Sequence, residues 1–315
     1  MSEPTPCEIP NIDFSGETGW RTANWGQICK MVREACEEYG FFQVRFDEIL
    51  PELVEETFEI VRGMFNLSAE IKEMNKNPKP YHGYYLGNLY ESFGIEDASN
   101  LTSLSSFEKL MWPDGNDRFC QAMIPITKQL NELQYTILRA VVDSYGLREE
   151  DGSKTDVVAQ CKTLMRLMKY KPPPPGTSTD GLGAHTDKPL CVILFADKVS
   201  GLQVQKKDGQ WLNLSQPPNS FVFMVGDPLM AWSNGRLHAA RHRVRMSGNE
   251  ERYSIGTFLV PVEGTIIKSP KELVDEAHPQ FLKDFDYFEF INFSYTKEAQ
   301  AIDSAKQLVT FAAIN

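Results

Sequence analysis

From Thr163 to Val260 the chain breaks into short runs rich in β-forming residues: Thr163 to Tyr170, Leu190 to Ala196, Gly201 to Gln205, Trp211 to Leu214, Phe221 to Val225, Arg241 to Met246 and Tyr253 to Val260. Turn signals separate them, and that spacing favours a sandwich or barrel over a parallel α/β sheet. Lys171-Pro172-Pro173-Pro174-Pro175-Gly176 reads as a stiff polyproline connector within this region, since strands of related pattern flank it on both sides.

The residues before this region have another period. Trp25, Ile28, Cys29, Val32, Cys36 and Tyr39 recur at helical spacing and Gly40 ends the pattern, so a helix is expected there, then a short strand over Phe41 to Val44. A second helix is expected over Pro51 to Phe65 and a long one from Asp117 to Tyr145, closed by Gly146. From Asn66 to Pro113 the abundance of Asn, Pro, Gly, Ser and Tyr suggests long surface loops. The tail from Pro270, with Phe285, Tyr287, Phe288, Phe290, Ile291 and Phe293, reads as one or two helices covering something apolar. The expected division is a mostly helical region over 1–158, a β core over 159–262 and a helical lid over 263–315, together one cooperative unit. The fold class is mainly β with flanking helices.

At 315 residues, 42% hydrophobic and 24% charged, the chain can bury a sizeable core. The longest apolar run, Leu190 to Ala196, is strand-sized and falls well short of the roughly 20 residues of a membrane-spanning helix. The first residues, Met1 to Pro6, lack a basic segment followed by an apolar one, which points to the cytosol. A net charge of -11 argues against nucleic acid or an anionic membrane as partner. Cys7, Cys29, Cys36, Cys120, Cys161 and Cys191 form no CxxC pair and read as free thiols.

With five histidines, candidates for metal or acid-base chemistry are few: His82, His185, His238, His242 and His278. In an extended segment His185 and Asp187 leave the same face, offering two legs of a facial metal triad. On its own, His-x-Asp is a weak signal, and a loop of hydrogen-bonded polar residues is the commoner explanation. The third ligand has two applicants, His238 and His242, which in a strand would lie roughly 13 Å apart and could not share an ion. Ser247-Gly248-Asn249-Glu250 signals a turn; a hairpin there would set His242 opposite Ser254, with Arg252 and Ser254 on one face. A buried guanidinium needs an anion, and its planar fork matches a carboxylate. The plainer reading of Arg252 is a surface salt bridge.

Taken together, His185-Thr186-Asp187, Gly201-Leu202-Gln203-Val204, Gly226-Asp227, Trp232-Ser233-Asn234-Gly235-Arg236, His242-Arg243-Val244 and Arg252-Tyr253-Ser254 resemble the plant 2-oxoglutarate- and iron(II)-dependent dioxygenase family. Ile9-Pro10-Asn11-Ile12-Asp13 and the segment Ala35 to Val44 are similar to its amino-terminal signature. The resemblance implies a double-stranded β-helix, a cupin-like jelly roll, wrapped by helices. It implies iron on His185, Asp187 and His242 as metal and catalytic residues, and 2-oxoglutarate held by Arg252 and Ser254 with Tyr170 assisting. Met168 stands where the family often carries an asparagine, and Arg45-Phe46-Asp47 where it carries Asn-His-Gly. Met168-Lys169-Tyr170-Lys171 and His185-Thr186-Asp187-Lys188-Pro189 look like the specialised-metabolism branch that includes the glucosinolate side-chain dioxygenases.

The activity so implied consumes dioxygen and 2-oxoglutarate, releases succinate and carbon dioxide, is supported by ascorbate, and oxidises a small molecule. Hydroxylation is the leading outcome; O-demethylation, desaturation and ring closure share its opening step. Two other classes compete: a zinc hydrolase, which has no need of an arginine-serine clamp, and an inactive small-molecule binding module. Phe258 shares a strand face with Arg252, and Gly256 should leave space beside it. With Tyr84, Tyr85, Phe288 and Phe290 it would wall a cavity for a mostly apolar or aromatic metabolite, with Lys188 as one polar contact. The protein is expected to act as a monomer, with the tail as a lid whose removal leaves iron and 2-oxoglutarate binding intact.

Overall fold

The computed structural model describes residues 9–15, 24–147, 160–215 and 220–314. The expected boundary at 158–159, the amino-terminal residues Met1 to Pro6 and Cys7 lie outside the described residues. In chain order the strands are β1 (Asn11–Asp13), β2 (Phe41–Arg45), β3 (Tyr85–Leu86), β4 (Tyr90–Ile95), β5 (Cys161–Tyr170), β6 (Ser178–His185), β7 (Cys191–Ala196), β8 (Leu202–Gln205), β9 (Trp211–Asn213), β10 (Ser220–Val225), β11 (His242–Ser247), β12 (Arg252–Pro261), β13 (Ile266–Ile267) and β14 (Phe285–Asp286). Their order is β1-β2-β10-β7-β12-β5-β4-β3 in a large sheet and β6-β11-β8-β9 in a small one, with β13-β14 a separate ribbon.

The two main sheets face each other, as a jelly roll requires. Tyr90, Met168 and Tyr170 of the large sheet form one buried cluster with Val244 and Met246 of the small sheet, and Leu182 and Leu194 pack against it. The approach is close: a Cβ added to Gly181 of β6 would lie 2.9 Å from Tyr170 Cδ1 and 3.0 Å from Met246 Cγ.

The other face of the large sheet is covered by helices. Helix α1 (Trp25–Glu38) buries Trp25, Ile28, Cys29, Val32, Ala35 and Cys36, the stripe its spacing predicts. Helices α2 (Pro51–Phe65), α3 (Ala69–Lys72), α4 (Leu101–Met111) and α5 (Asp117–Ser144) complete this half. Phe58 of α2 meets Phe195 of β7 edge to face at 5.5 Å, and Gln134 of α5 donates to the carbonyl of Thr257 at 2.8 Å. Gly40 ends α1 at φ 77°, and a Cβ there would lie 2.1 Å from the carbonyl oxygen of His238. Both facts require glycine.

Two expectations are corrected. Residues 66–113 are not loop throughout: the loop over 73–84 is long, but the segment also contains α4 and β4, and all six residues of β4 are buried. The polar residues that suggested a loop are satisfied inside. Glu91 accepts from Lys72 at 2.6 Å and from Tyr84 Oη at 2.7 Å, and Ser92 accepts from Arg166. Nor do β11 and β12 form a hairpin: β11 pairs with β6 and β8, β12 with β5 and β7, so Ser247 to Glu251 passes from one sheet to the other. A turn signal fixes a reversal of the chain but not the sheet it enters, and here burial of Val244 and Met246 against Tyr170 decided.

The tail is helical as expected but carries three helices rather than one or two, Tyr287–Ser294, Lys297–Gln300 and Ser304–Ala312. Among the described residues no helix is long and apolar enough to cross a membrane. The described cysteines, Cys29, Cys36, Cys120, Cys161 and Cys191, are not joined in disulfides.

Candidate metal and keto-acid site

Because β11 lies against β6, His242 is the register partner of His185, and their ring centroids stand 4.3 Å apart. Asp187, just beyond the end of β6, places Oδ1 3.7 Å from Nε2 of each histidine. His238 is elsewhere: its backbone N–H donates to the carbonyl of Cys36 on α1. One donor atom from each of His185, Asp187 and His242 lies within 4.8 Å of the others, the only such group of three found among the described residues.

The histidines are held by their far nitrogens. Nδ1 of His185 lies 2.8 Å from the carbonyl of Gly183, and Nδ1 of His242 3.1 Å from that of Ala240. Carbonyls only accept, so each Nδ1 carries the proton and each Nε2 turns a lone pair toward Asp187. Burial, then the neighbouring His242, pushes the His185 imidazole down to about 4, the neutral form a metal needs. Oδ2 of Asp187 is buried without a hydrogen-bond partner, an arrangement that is costly unless something positive occupies the gap. Two imidazoles, one carboxylate and an unsatisfied carboxylate oxygen fit iron(II) in a facial triad.

The loop carrying Asp187 is braced from beneath. Asp227, buried at the start of the helix Asp227–Trp232, donates its backbone N–H to the carbonyl of Asp187. Its Oδ2 accepts from Lys188 at 2.7 Å and Thr186 at 3.2 Å. Burial raises the Asp227 carboxyl and Lys188 opposes that rise. Ser304, first residue of the last helix, accepts from the backbone N–H of Thr186 at 2.9 Å. The tail is thereby hydrogen-bonded to the metal loop.

Deeper in the barrel, Arg252 and Tyr170 are register partners on β12 and β5. Arg252 is 3% exposed; it donates to Ser254 Oγ at 2.9 Å, sits 5.3 Å from the Tyr170 ring centroid, and leaves Nε unpaired. No carboxylate among the described residues pairs with it, so the surface salt bridge that the sequence also allowed is absent there. Burial lowers its affinity for a proton and Tyr170 opposes this. Tyr170 is buried, and its hydroxyl donates to the poor acceptor Met168 Sδ at 3.6 Å and is hydrogen-bonded with Ser254. A buried guanidinium, a hydroxyl and a phenol, with no anion beside them among the described residues, offer the donor set that one carboxylate would satisfy.

The residues expected to wall a substrate cavity are dispersed. Phe258 does not leave space beside Gly256: a Cβ on Gly256 would meet Phe258 Cε2 at 2.7 Å and Leu194 Cδ2 at 2.8 Å, so that space is filled. Tyr85 is exposed and stacks on Tyr90 at 5.8 Å, while Tyr84 turns to Glu91 and Phe93. Phe290 is fully buried between Phe285 and Phe311, and Phe288 packs on Tyr287. Lys188 is engaged with Asp227, Thr186 and Ser304 rather than turned to a cavity. Sequence reasoning missed Asp227 and Ser304 as braces; the Gly226-Asp227 motif was the available signal for the first.

Residues 160–261 match the model of the 2OG-Fe(II) oxygenase superfamily, and residues 9–115 that of the non-haem dioxygenase in morphine synthesis N-terminal region. The chain is 38% identical over 314 residues, 97% of its length and 96% of the relative's, to the probable 2-oxoglutarate-dependent dioxygenase AOP1 of Arabidopsis thaliana. Among solved structures it is similar to the rice dioxygenase for auxin oxidation, with TM-score 0.82, 28% identity and coverage of 97% of this chain and 100% of that one. A 2-oxoglutarate complex of the Arabidopsis thaliana dioxygenase for auxin oxidation 1 gives TM-score 0.78 and 28% identity, covering 86% and 100%.

Proposed function

The chain belongs to the plant 2-oxoglutarate- and iron(II)-dependent dioxygenase family, in its AOP-like branch, and from that premise we propose that His185, Asp187 and His242 hold the iron while Arg252, Ser254 and Tyr170 hold the far carboxylate of 2-oxoglutarate. The protein is an oxidoreductase with iron(II) and 2-oxoglutarate as its cofactor and co-substrate. The observation that carries the residue assignment is the pairing of two unsatisfied groups in one barrel, the buried Asp187 Oδ2 and the buried, carboxylate-free Arg252.

Bound iron(II) and 2-oxoglutarate supply dioxygen activation coupled to oxidative decarboxylation, yielding succinate and carbon dioxide. The chain's own contribution is placement. Gly183 and Ala240 fix the tautomers that leave both Nε2 atoms free, and Asp227 and Ser304 hold the loop of Asp187. Arg252 and Ser254 orient the keto acid by its far end, and the apolar cluster of Tyr90, Met168, Val244 and Met246 excludes water from the barrel.

Our reading of the organic substrate is a small, largely apolar or aromatic plant metabolite, oxidised by hydroxylation. The apolar residues Phe258 and Leu194 beside Gly256 on the barrel face of β12 support the apolar character, and the relative named for auxin oxidation supports a small-molecule substrate. We also read 1–158, 159–262 and 263–315 as one cooperative unit. The test is succinate release from 2-oxoglutarate, screened across plant metabolites with iron(II) added and withheld. Iron-independent release, or full release by Asp187→Ala, would reject the assignment.

A further inference from the structure

Of the six Asp, Glu, Lys and Arg side chains buried among the described residues, three have a counter-charge. Glu91 pairs with Lys72 at 2.6 Å, Lys169 with Glu251 at 2.8 Å and Asp227 with Lys188 at 2.7 Å, and the fourth, Asp187, is the candidate metal ligand between two neutral histidines. Two buried arginines stand apart, Arg252 and Arg166, 3% and 6% exposed. Neither has a carboxylate partner. They are built alike: each donates to a serine hydroxyl, each lies over a tyrosine ring, and each leaves a buried Nε without a partner. Arg166 spends Nη2 on Tyr90 Oη at 2.9 Å and on Ser92 Oγ, and Tyr81 covers its guanidinium at 4.7 Å.

Its position separates it from the keto-acid receptor. On β5, Tyr170, Met168 and Arg166 share the face that looks into the barrel, opposite Arg252, Ser254 and Gly256 of β12. Arg166 lies four residues from Tyr170, roughly 13 Å between Cα atoms at about 3.3 Å per residue. The offset runs toward the metal: further along β12, the carbonyl of Leu259 accepts from the backbone N–H of Leu190, three residues after Asp187. Arg166 is flanked in register by Gly94 on β4 and Gly256 on β12; the backbone of Tyr81 and His82 closes over Gly94, and Phe258 and Leu194 over Gly256. Phe258 folds over Gly256, and Tyr81 packs on Tyr295 of the tail at 6.0 Å. A cation with a free donor edge thus stands among aromatic rings on the metal side of the barrel.

We propose that Arg166 is the receptor for an anionic group of the organic substrate, which makes that substrate a small carboxylic acid with an apolar body. Resting on the function proposed above, this reading adds one charged contact to an otherwise apolar site. Arg166 pairs the acid through its uncommitted Nε edge, Tyr90 and Ser92 fix the guanidinium plane, and the rings of Tyr81 and Phe258 border the apolar part.

The test is binding calorimetry without oxygen on the protein loaded with iron(II) and saturating 2-oxoglutarate, which occupies Arg252. The probes are phenylacetate, cyclohexylacetate and octanoate, each against its primary amide. At least one acid is expected to bind about 100-fold or more tightly than its amide, the scale of leaving a desolvated charge unpaired. Arg166→Gln should abolish that preference and Arg166→Lys restore part of it, both retaining iron and 2-oxoglutarate affinity. Acids binding no better than amides, no acid binding at all, or an undiminished preference in Arg166→Gln would overturn the proposal. The acid-to-amide comparison on the unaltered protein decides even if the variants do not fold. Failure to bind 2-oxoglutarate would instead count against the function proposed above.

Discussion

His185 and His242 face each other across the β6–β11 ladder as register partners with ring centroids 4.3 Å apart, and Asp187 Oδ1 lies 3.7 Å from Nε2 of both. Each imidazole is turned by a backbone carbonyl two residues before it, Gly183 and Ala240. The pairing of two strand ends therefore sets the distance between the ligands.

Removing a ligand should empty the site without unfolding the barrel. His185→Ala, Asp187→Ala and His242→Ala are each expected to lose bound iron, measured by metal analysis after gel filtration, and to stop succinate release. His238→Ala should keep both, because His238 contributes a backbone contact to Cys36 rather than a ligand. Iron loss in His238→Ala with retention in His242→Ala would reverse the assignment.

Arg252 should govern the co-substrate and leave the metal alone. Truncating one member of a desolvated charge pair costs about 3 to 5 kcal/mol, so Arg252→Ala should raise the 2-oxoglutarate dissociation constant by roughly two to three orders of magnitude. Iron content should not change. Titration of 2-oxoglutarate under anaerobic conditions reads this directly, and an unchanged constant would displace the clamp.

The tail is expected to be more than a lid. Ser304 accepts from the Thr186 N–H, Asp303 pairs with Arg241 at 3.0 Å, and Phe290 lies under Lys188 at 5.7 Å, so the tail supports both the Asp187 loop and the entry to β11. Truncation before Asp286 should weaken iron retention as well as substrate-coupled turnover. This revises the sequence-based expectation that metal binding would survive. Full iron retention in the truncated chain would restore the simpler lid.

The Lys188–Asp227 pair should contribute to stability and to iron affinity together. Lys188→Met leaves a buried carboxylate without its counter-charge, at a cost of about 3 to 5 kcal/mol. Denaturant unfolding should register that loss. The double variant Lys188→Met with Asp227→Leu should recover part of the stability but not the iron affinity, since the Asp187 loop would still lack its brace. Equal recovery of both would reduce the pair to a packing element.

The sequence by itself determined the local parts. Period-two and period-three-to-four patterns, with Gly40 as a stop, located α1, α2, α5 and most of the strands. His185 and Asp187, like Arg252 and Ser254, were bound to share a face because they are two residues apart in extended chain. What only the tertiary structure decided was which strand lies beside which. The turn after Ser247 carries no record of the sheet it enters, so the His242–Ser254 pairing expected from a hairpin gave way to His242–His185. The polar strand Tyr90–Ile95 was hidden for the same reason: Glu91 and Ser92 are affordable inside only because Lys72, Tyr84 and Arg166 arrive from elsewhere in the chain. Arg166 itself reads as an ordinary surface charge until the fold surrounds it with Tyr81, Tyr90, Gly94 and Gly256 and brings no carboxylate. Burial and counter-charge are properties of neighbours brought together across long separations in sequence, and local pattern cannot encode them.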